Sequence, residues 1–472
     1  MPFEFIDNNT TISRAERKRI RSHAAKGRNV GKTIVRPSRK KLLLTRTVQP
    51  ENRENQPREP RRDIERQIGD GLSVLGLPAP PTPASKRLVQ KALTFFAGPR
   101  HAPELEKALD PYARNPAAIW TQFIFMDEAY FHCAMAMAIT ALNSLVMQPE
   151  DPADAMRHIA RSLRIVNQRL VSPHDALSDT TLAVVMMLSH YERHQGHLRQ
   201  GQVHFDGLLR MVELRGGIAY LAKTKPNIAL KLYMADLDYA LQLGISTRYS
   251  VDDISHGMTT LLGSQDDREQ QRARSPPSVL PPPLSHSLGA NLQDLLTNMT
   301  SFARIVNDTV SGLRPPFSSY ALLCTLLILG YRLVGISPLA GPRPHDHLID
   351  IIHLGLAAFM VTFLRRLDRK IADMPLLSSV ARAAVDNSYY DEKRAQEYQE
   401  VLLWVLFLGA TSVFRGVDHS SWLVLRARQT MNVLDLSSWG DVQKVLVQFP
   451  WVHTLHDKAG WELWSTCTLE TV

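Results

Sequence analysis

A glycine- and lysine-containing stretch near the start of the chain is the first place where residue type and spacing suggest chemistry. Gly27-Arg28-Asn29-Val30-Gly31-Lys32-Thr33 has the ingredients of a phosphate-cradling loop: glycines whose amides can close on an anion, then a lysine and a hydroxyl. The spacing does not fit. Three residues separate the glycines, where the loop needs four, and a basic helix-patterned segment stands where a strand should precede. A turn within a cationic arm is the plainer reading. Histidines form the second candidate. His190 and His194 are four apart, so on a helix both imidazoles could face one metal ion. Glu192 does not directly follow the first histidine, as the zinc-hydrolase pattern requires, and Gly196 is expected to end the helix before His197. The expected reading is a solvated helix end with imidazoles near the negative end of the helix dipole. His204 is expected to pack in the following helix. His345, His347 and His353 lie at a loop-to-helix start with only Asp346 and Asp350 around them, and no metal is expected there. Nucleophile elbows and paired-carboxylate signatures are absent, so the chain is read as a non-enzyme without a cofactor.

Charge carries more information. The chain of 472 residues has a formal net charge of +9, unevenly placed. Residues 1–66 hold 18 Lys and Arg against 8 Asp and Glu, whereas the remainder holds 37 against 38. Within Ser13–Arg46 there are 13 basic residues and one acid, Glu16. Such a block reads as a nucleic-acid-binding or nuclear-import arm on a near-neutral body. The residues assigned to these roles are Arg14, Arg17, Lys18, Arg19, Arg21, Lys26, Arg28, Lys32, Arg36, Arg39, Lys40 and Lys41. Ser13 and Glu16 form a capping box, and Arg14, Arg17, Lys18 and Arg21 fall on one stripe of the short helix it would start, able to face phosphates. So short a helix is expected to order only on binding.

The elements that would position these groups follow a clear division. Residues 1–49 form the basic arm, expected to be mostly disordered, and residues 50–84 a Pro- and Arg-rich linker ending in Leu77-Pro78-Ala79-Pro80-Pro81-Thr82-Pro83. From 85 to 472 the chain reads as one all-α regulatory domain, with a flexible insertion at 264–290 marked by Ser275-Pro276-Pro277 and Pro281-Pro282-Pro283. Helices are expected from Ser85 to Ala97, within the apolar stretch Pro116–Met147, from Asp151-Pro152, from Ser178 to Gly196, from Gln202 to Leu214, from an Asn227 cap to Gly244, and again from Leu292. Later ones cover Ser319–Leu333, His347–Leu367, Glu392–Phe414 and Ser420–Asn432. Met156, Ile159, Leu163, Val166 and Leu170 repeat at 3,4 spacing. A core stripe is the default reading, and a dimerisation seam would need a longer series. The three cysteines, Cys133, Cys324 and Cys467, exclude a disulfide framework and a cysteine-rich zinc module, and fit a reducing compartment. The chain shows no secretory signal. The apolar runs Tyr320–Leu329 and Val401–Phe414 are too short to span a bilayer and read as buried helices.

Leu188–Leu221 reads LSHYERHQGHLRQGQVHFDGLLRMVELRGGIAYL. It resembles the helical pair of the fungal-specific transcription factor domain, with the match at Tyr191, Glu192, Gly196, His204, Gly207, Leu208, Met211, Leu214, Arg215, Gly216 and Gly217. Leu402–Gly409, the end from Phe449-Pro450-Trp451-Val452-His453-Thr454-Leu455-His456-Asp457 to Trp464, and the opening Phe3-Glu4-Phe5-Ile6-Asp7 with Arg19–His23 and Lys26–Asn29 agree with the same family. The resemblance implies an all-helical regulatory domain of a nuclear regulator of transcription, in family habit one that controls a specialised (secondary) metabolic pathway. It departs from relatives that carry a six-cysteine binuclear zinc cluster before this domain, because no cysteine precedes Cys133. Contact with DNA, weak or indirect, is then left to the arm. The partners implied are DNA, a nuclear import carrier and other transcription regulators, with homodimerisation as an option and no membrane. The alternative is a non-DNA-binding helical scaffold that partners another regulator. From the residues themselves, Gly216 and Gly217 are a helix stop, Arg215 a partner for a carbonyl or carboxylate at that helix end, and the leucines core.

Overall fold

A computed structural model describes residues 77–78, 83–97, 103–113, 118–142, 152–257, 288–364, 374–388, 396–414 and 417–469. The basic arm, most of the linker and residues 264–287 of the expected insertion lie outside the described residues. Within them the fold is all-α; the one pairing of β type is an isolated bridge between Leu109 and Phe317. The helices run α1 (Pro83–Ala97), α2 (Ala118–Met126), α3 (Glu128–Leu142), α4 (Pro152–Arg169), the single turn α5 (Pro173–Ala176), α6 (Asp179–His194), α7 (Leu198–Leu214), α8 (Gly217–Thr224) and α9 (Pro226–Leu243). After the undescribed segment follow α10 (Ala290–Val310), α11 (Ser319–Ile336), α12 (His347–Leu364), α13 (Pro375–Ser388), α14 (Gln396–Thr411), α15 (Val417–Val433), α16 (Trp439–Leu446) and α17 (His453–Leu469).

Three helices sit deep because their sequences are largely apolar on every side; one is α12, buried without a break from Asp350 to Phe363. In α3, Ala129–Phe131 and Cys133–Ile139 are all buried, and α1, α2, α4 and α6 pack around it. In α14, Val401–Leu408 are buried on all faces, enclosed by α12, α15, α16 and α17. A helix apolar all round can satisfy its side chains only inside such a ring of neighbours. Other helices around them show stripes instead. On α4 the buried positions are Ala155, Ile159, Ser162 and Val166, one side of the cylinder. Met156 and Leu170, expected in that core stripe, are 65% and 49% exposed. Met156 lies about a quarter-turn round from the stripe at 3.6 residues per turn, and Leu170 lies just past the last residue of α4.

Caps set several boundaries. The hydroxyls of Ser178, Ser318 and Ser438 accept from Thr181, Ala321 and Asp441 amides at the starts of α6, α11 and α16, each satisfying an otherwise unpaired first-turn donor. Pro226 occupies the first turn of α9, so Lys225 rather than Asn227 is the cap; the missing N–H of proline costs nothing there. The expected single stretch at 116–147 is interrupted at Asp127, whose carboxylate accepts from the Tyr130 amide at 2.9 Å and starts α3 afresh. Arg169 at the end of α4 pairs with its other oxygen at 2.8 Å. Helix α7 begins at Leu198, earlier than the glutamine expected, since the turn Gln195-Gly196-His197 is short and Gly196 takes φ 82°.

Ser319–Ile336 is, among the described residues, the helix long and apolar enough to cross a membrane by length and composition. It extends past the apolar run read from the sequence, and half of its apolar window is buried, with Leu322, Cys324, Leu326, Leu327 and Tyr331 in the shared core.

Candidate functional site

The twelve basic residues assigned to nucleic acid and import, Arg14 to Lys41, lie outside the described residues. The segment singled out at 188–221 is described in full. It forms the end of α6, all of α7 and the start of α8, wrapped against α9.

At its corner, Arg215 closes α7, and Gly216 and Gly217 take φ 111° and 85°. Side chains are strained in that left-handed region, so glycine is what lets α8 start at once in a new direction. Arg215 turns back to Asp179 in the first turn of α6, Nη2 to Oδ1 2.5 Å, and Lys225 reaches the other oxygen at 2.6 Å. One carboxylate thus joins the start of α6, the end of α7 and the junction of α8 with α9. Burial works to raise the Asp179 pKa, but the Lys225 ammonium and Arg215 guanidinium outweigh it and hold the carboxyl below its ordinary value. The partner expected for Arg215 is therefore a carboxylate, supplied by a residue 36 positions earlier.

Beneath the corner is a polar layer that the sequence reading missed. Arg193 is buried; its Nη2 donates to Asp238 at 3.0 Å and its guanidinium lies 5.1 Å from the centroid of the Tyr239 ring. Ser189 Oγ and Tyr239 OH are 2.8 Å apart. Helix α7 lies flush on this layer through Gly201, where an added Cβ would stand 2.5 Å from Tyr239 OH and 2.9 Å from the Ser189 carbonyl. The signal was an extra glycine within an amphipathic helix, which marks close approach when it is not a helix end. Next to it, Asp236 accepts from the Arg248 amide at 2.9 Å and from Tyr331 OH at 2.8 Å. Burial raises its pKa against the pull of these donors.

The other matched positions divide. Tyr191, Leu208 and Met211 are core. Glu192 is taken by His197, Oε2 to Nδ1 3.0 Å. His204 is half-buried and burial lowers its pKa. Leu214, expected in the core, is 60% exposed at the last residue of α7. Gly207 is exposed with nothing near it, and the structure gives no reason for glycine there. His194 is buried rather than solvated, since the following turn folds α7 back over that helix end. Among the described residues, no group of three or more His, Cys, Asp or Glu could hold a metal ion.

At the other end of the unit, the tryptophan-rich segment makes a second anchor. Trp404 is fully buried, donates from Nε1 to the Pro450 carbonyl at 3.1 Å and stacks on Phe449 with centroids 5.2 Å apart. Trp451 Nε1 donates to Asp457 at 2.7 Å. Asn307 on α10 donates to the Trp451 carbonyl at 2.9 Å and accepts from the His453 amide at 3.0 Å. His456 is fully buried and its Nδ1 accepts from the Val452 amide at 2.9 Å. Of the other histidines, His353 accepts from Arg343 and faces the Leu333 carbonyl; burial and the Arg343 charge lower its pKa to about 4.

Ion pairs that fix helix angles, aromatic anchors and closely packed helices define a helical unit in which, among the described residues, the polar groups named above hold helices together. Residues 108–326 match the family model described as the Fungal specific transcription factor domain. The matched residues make up a little under half of the chain, and the family they resemble is one of transcription factor domains, not an enzyme family. The match includes the whole of the Asp179 corner and its polar layer; the Trp404 anchor lies beyond it. No curated protein and no solved structure gives a significant match.

Proposed function

We propose that the protein is a nuclear regulator of transcription in which the helical unit is the regulatory part and the basic arm provides nuclear import and weak phosphate contacts with DNA. The observation that carries this reading is the family match over 108–326, joined to a charge distribution that concentrates the net positive charge in residues 1–66. Control of a specialised metabolic pathway is the biological setting proposed, on the family's habit alone. Arg17-Lys18-Arg19-Ile20-Arg21 and Arg36-Pro37-Ser38-Arg39-Lys40-Lys41 are two basic clusters of the kind read by acidic grooves of import carriers.

A second reading makes the helical unit a scaffold for another DNA-binding regulator. It is favoured by the cysteines: all three are buried in the helical unit, so none is placed to build a zinc-bearing DNA reader in the arm. The deciding experiment places the tagged protein in cells with both clusters changed to alanine. Loss of nuclear accumulation is the expected result; unchanged accumulation refutes the import role. Loss of reporter activation with import restored by a foreign signal favours DNA contact by the arm, and retained activation favours the scaffold.

A further inference from the structure

Two histidines from neighbouring helices meet at the seam between α3 and α4. Helix α4 packs chiefly on α3, through the apolar stripe already described. At the edge of that seam the Nδ1 atoms of His132 and His158 stand 2.8 Å apart, and the ring centroids 5.0 Å apart. The nitrogens therefore point at each other, which is the geometry of an N–H···N bond. Such a bond needs one nitrogen with a proton and one without. The pair can hold it while neutral or with a single added proton. Charged twice, it sets two N–H donors of like charge face to face.

Two carboxylates flank the pair, and alone each would draw a proton onto the ring beside it. Glu128 Oε1 stands 3.8 Å from His132 Nε2, and Asp154 precedes His158 by one turn of α4. Each carboxylate is held by an arginine of α4: Arg161 donates to Glu128 at 2.8 Å, and Arg157 pairs with Asp154. The opposite charges largely offset each other, and burial decides. It lowers the pKa of His132, and it lowers that of His158 to about 4 with help from the neighbouring imidazole. Among the described residues, the charges acting on the rings come from α3 and α4 themselves; none from α1, α2, α5 or α6, which also pack on these two helices, is among them.

We infer that the pair is a proton-sensitive latch: α4 stays seated on α3 while the two imidazoles share one N–H between their Nδ1 atoms, and it is released as both rings become protonated. Released, the rings face water and titrate near the ordinary value of about 6.5. Seated, they take protons only in more acid solution. Between those limits the released form binds more protons, so acid shifts the balance towards it, by up to about tenfold per pH unit for His158 alone. Above about pH 6.5 the latch is closed and its contribution is fully present; it is lost as pH falls from there towards the seated value. The inference concerns the helical unit alone and does not depend on what the basic arm binds.

The test is amide hydrogen exchange of the full chain, read by mass spectrometry on peptides from α4 and, as an internal reference, from α14. Wild type and His158→Gln are compared at each of several values between about pH 7.5 and 5, so that the intrinsic pH dependence of exchange cancels. In wild type the α4 peptides should lose protection as pH falls below about 6.5, by up to about tenfold per unit. In His158→Gln the α4 profile should be flatter, because a glutamine takes up no proton, and α14 should behave alike in both proteins. Parallel α4 profiles in the two proteins overturn the proposal. Circular dichroism checks that the variant folds. If it does not, α4 is compared with α14 within wild type: protection lost in α4 ahead of α14 supports the latch, and equal loss in both overturns it.

Discussion

The Asp179 corner and the Trp404 anchor both hold chain segments onto a helical core, by different means. The corner relies on two ion pairs to one carboxylate, glycine-enabled turns and a helix seated on a glycine. Its charged groups are partly exposed, with Lys225 44% accessible. The anchor relies on fully buried rings, indole hydrogen bonds to backbone and Asp457, and an asparagine that clips the segment to α10. Partly exposed ion pairs are worth little individually and respond to salt, whereas a buried indole accounts for several kcal/mol. The corner sets angles between helices; the anchor sets stability.

That contrast breaks most visibly at Trp404. Trp404→Ala should cost about 3–5 kcal/mol of unfolding free energy through lost burial and the cavity left behind. Denaturant titration gives the value, and a change below about 1 kcal/mol would mean the anchor does not carry the load assigned to it. Gly201→Val comes next. The branched side chain meets the Tyr239 hydroxyl and a backbone carbonyl at distances no carbon tolerates, so α7 must lift, at about 1–3 kcal/mol. An unchanged thermal midpoint would show that α7 does not sit flush on the Tyr239 layer.

Asp179→Asn should cost about 1 kcal/mol or less, reduced by solvent screening, and part of that loss should vanish at high salt. Its pH dependence has a definite sign. The folded pKa lies below the unfolded one, so the contribution is fully present above the ordinary carboxylate value. It is lost as pH falls through the lower folded value. Wild type and Asp179→Asn should therefore converge in stability in acid; a gap that widens there contradicts the clamp. The smallest effect has the opposite direction. Gly207→Ala meets open space in a helix interior and should stabilise by about 0.5–1 kcal/mol, measured as a raised thermal midpoint; destabilisation would reveal a packing role for Gly207 that the structure does not show.

Much of the fold was legible in periodicity and caps. Ser178 as a helix start, Gly216 and Gly217 as a stop, and the buried character of the Tyr320 and Val401 stretches all follow from local chemistry. The carboxylate partner expected of Arg215 was legible as a type but not as a residue, because Asp179 is brought there by the fold and not by spacing. The same holds for Arg193 with Asp238, and for Asp236 with Tyr331, which are 95 positions apart. The stripe on α4 was misread at Met156 because 3,4 spacing describes two adjacent sides of a helix equally well over two heptads, and at Leu170 because the helix ends at Arg169. The burial of His194 depended on how α7 returns, which its own neighbours in sequence do not encode.

The function proposed here stands or falls on the arm, and a salt titration tests it most directly. The full chain and a variant with Arg14 to Lys41 neutralised at the twelve assigned positions would be titrated against duplexes of unrelated sequence. Phosphate contact displaces counterions, so log affinity of the unaltered chain should fall with log salt by about 0.9 per phosphate neutralised. Preference among duplexes should be small, and the neutralised variant should bind far more weakly. Binding indifferent to salt, or undiminished in the neutralised variant, would contradict the account.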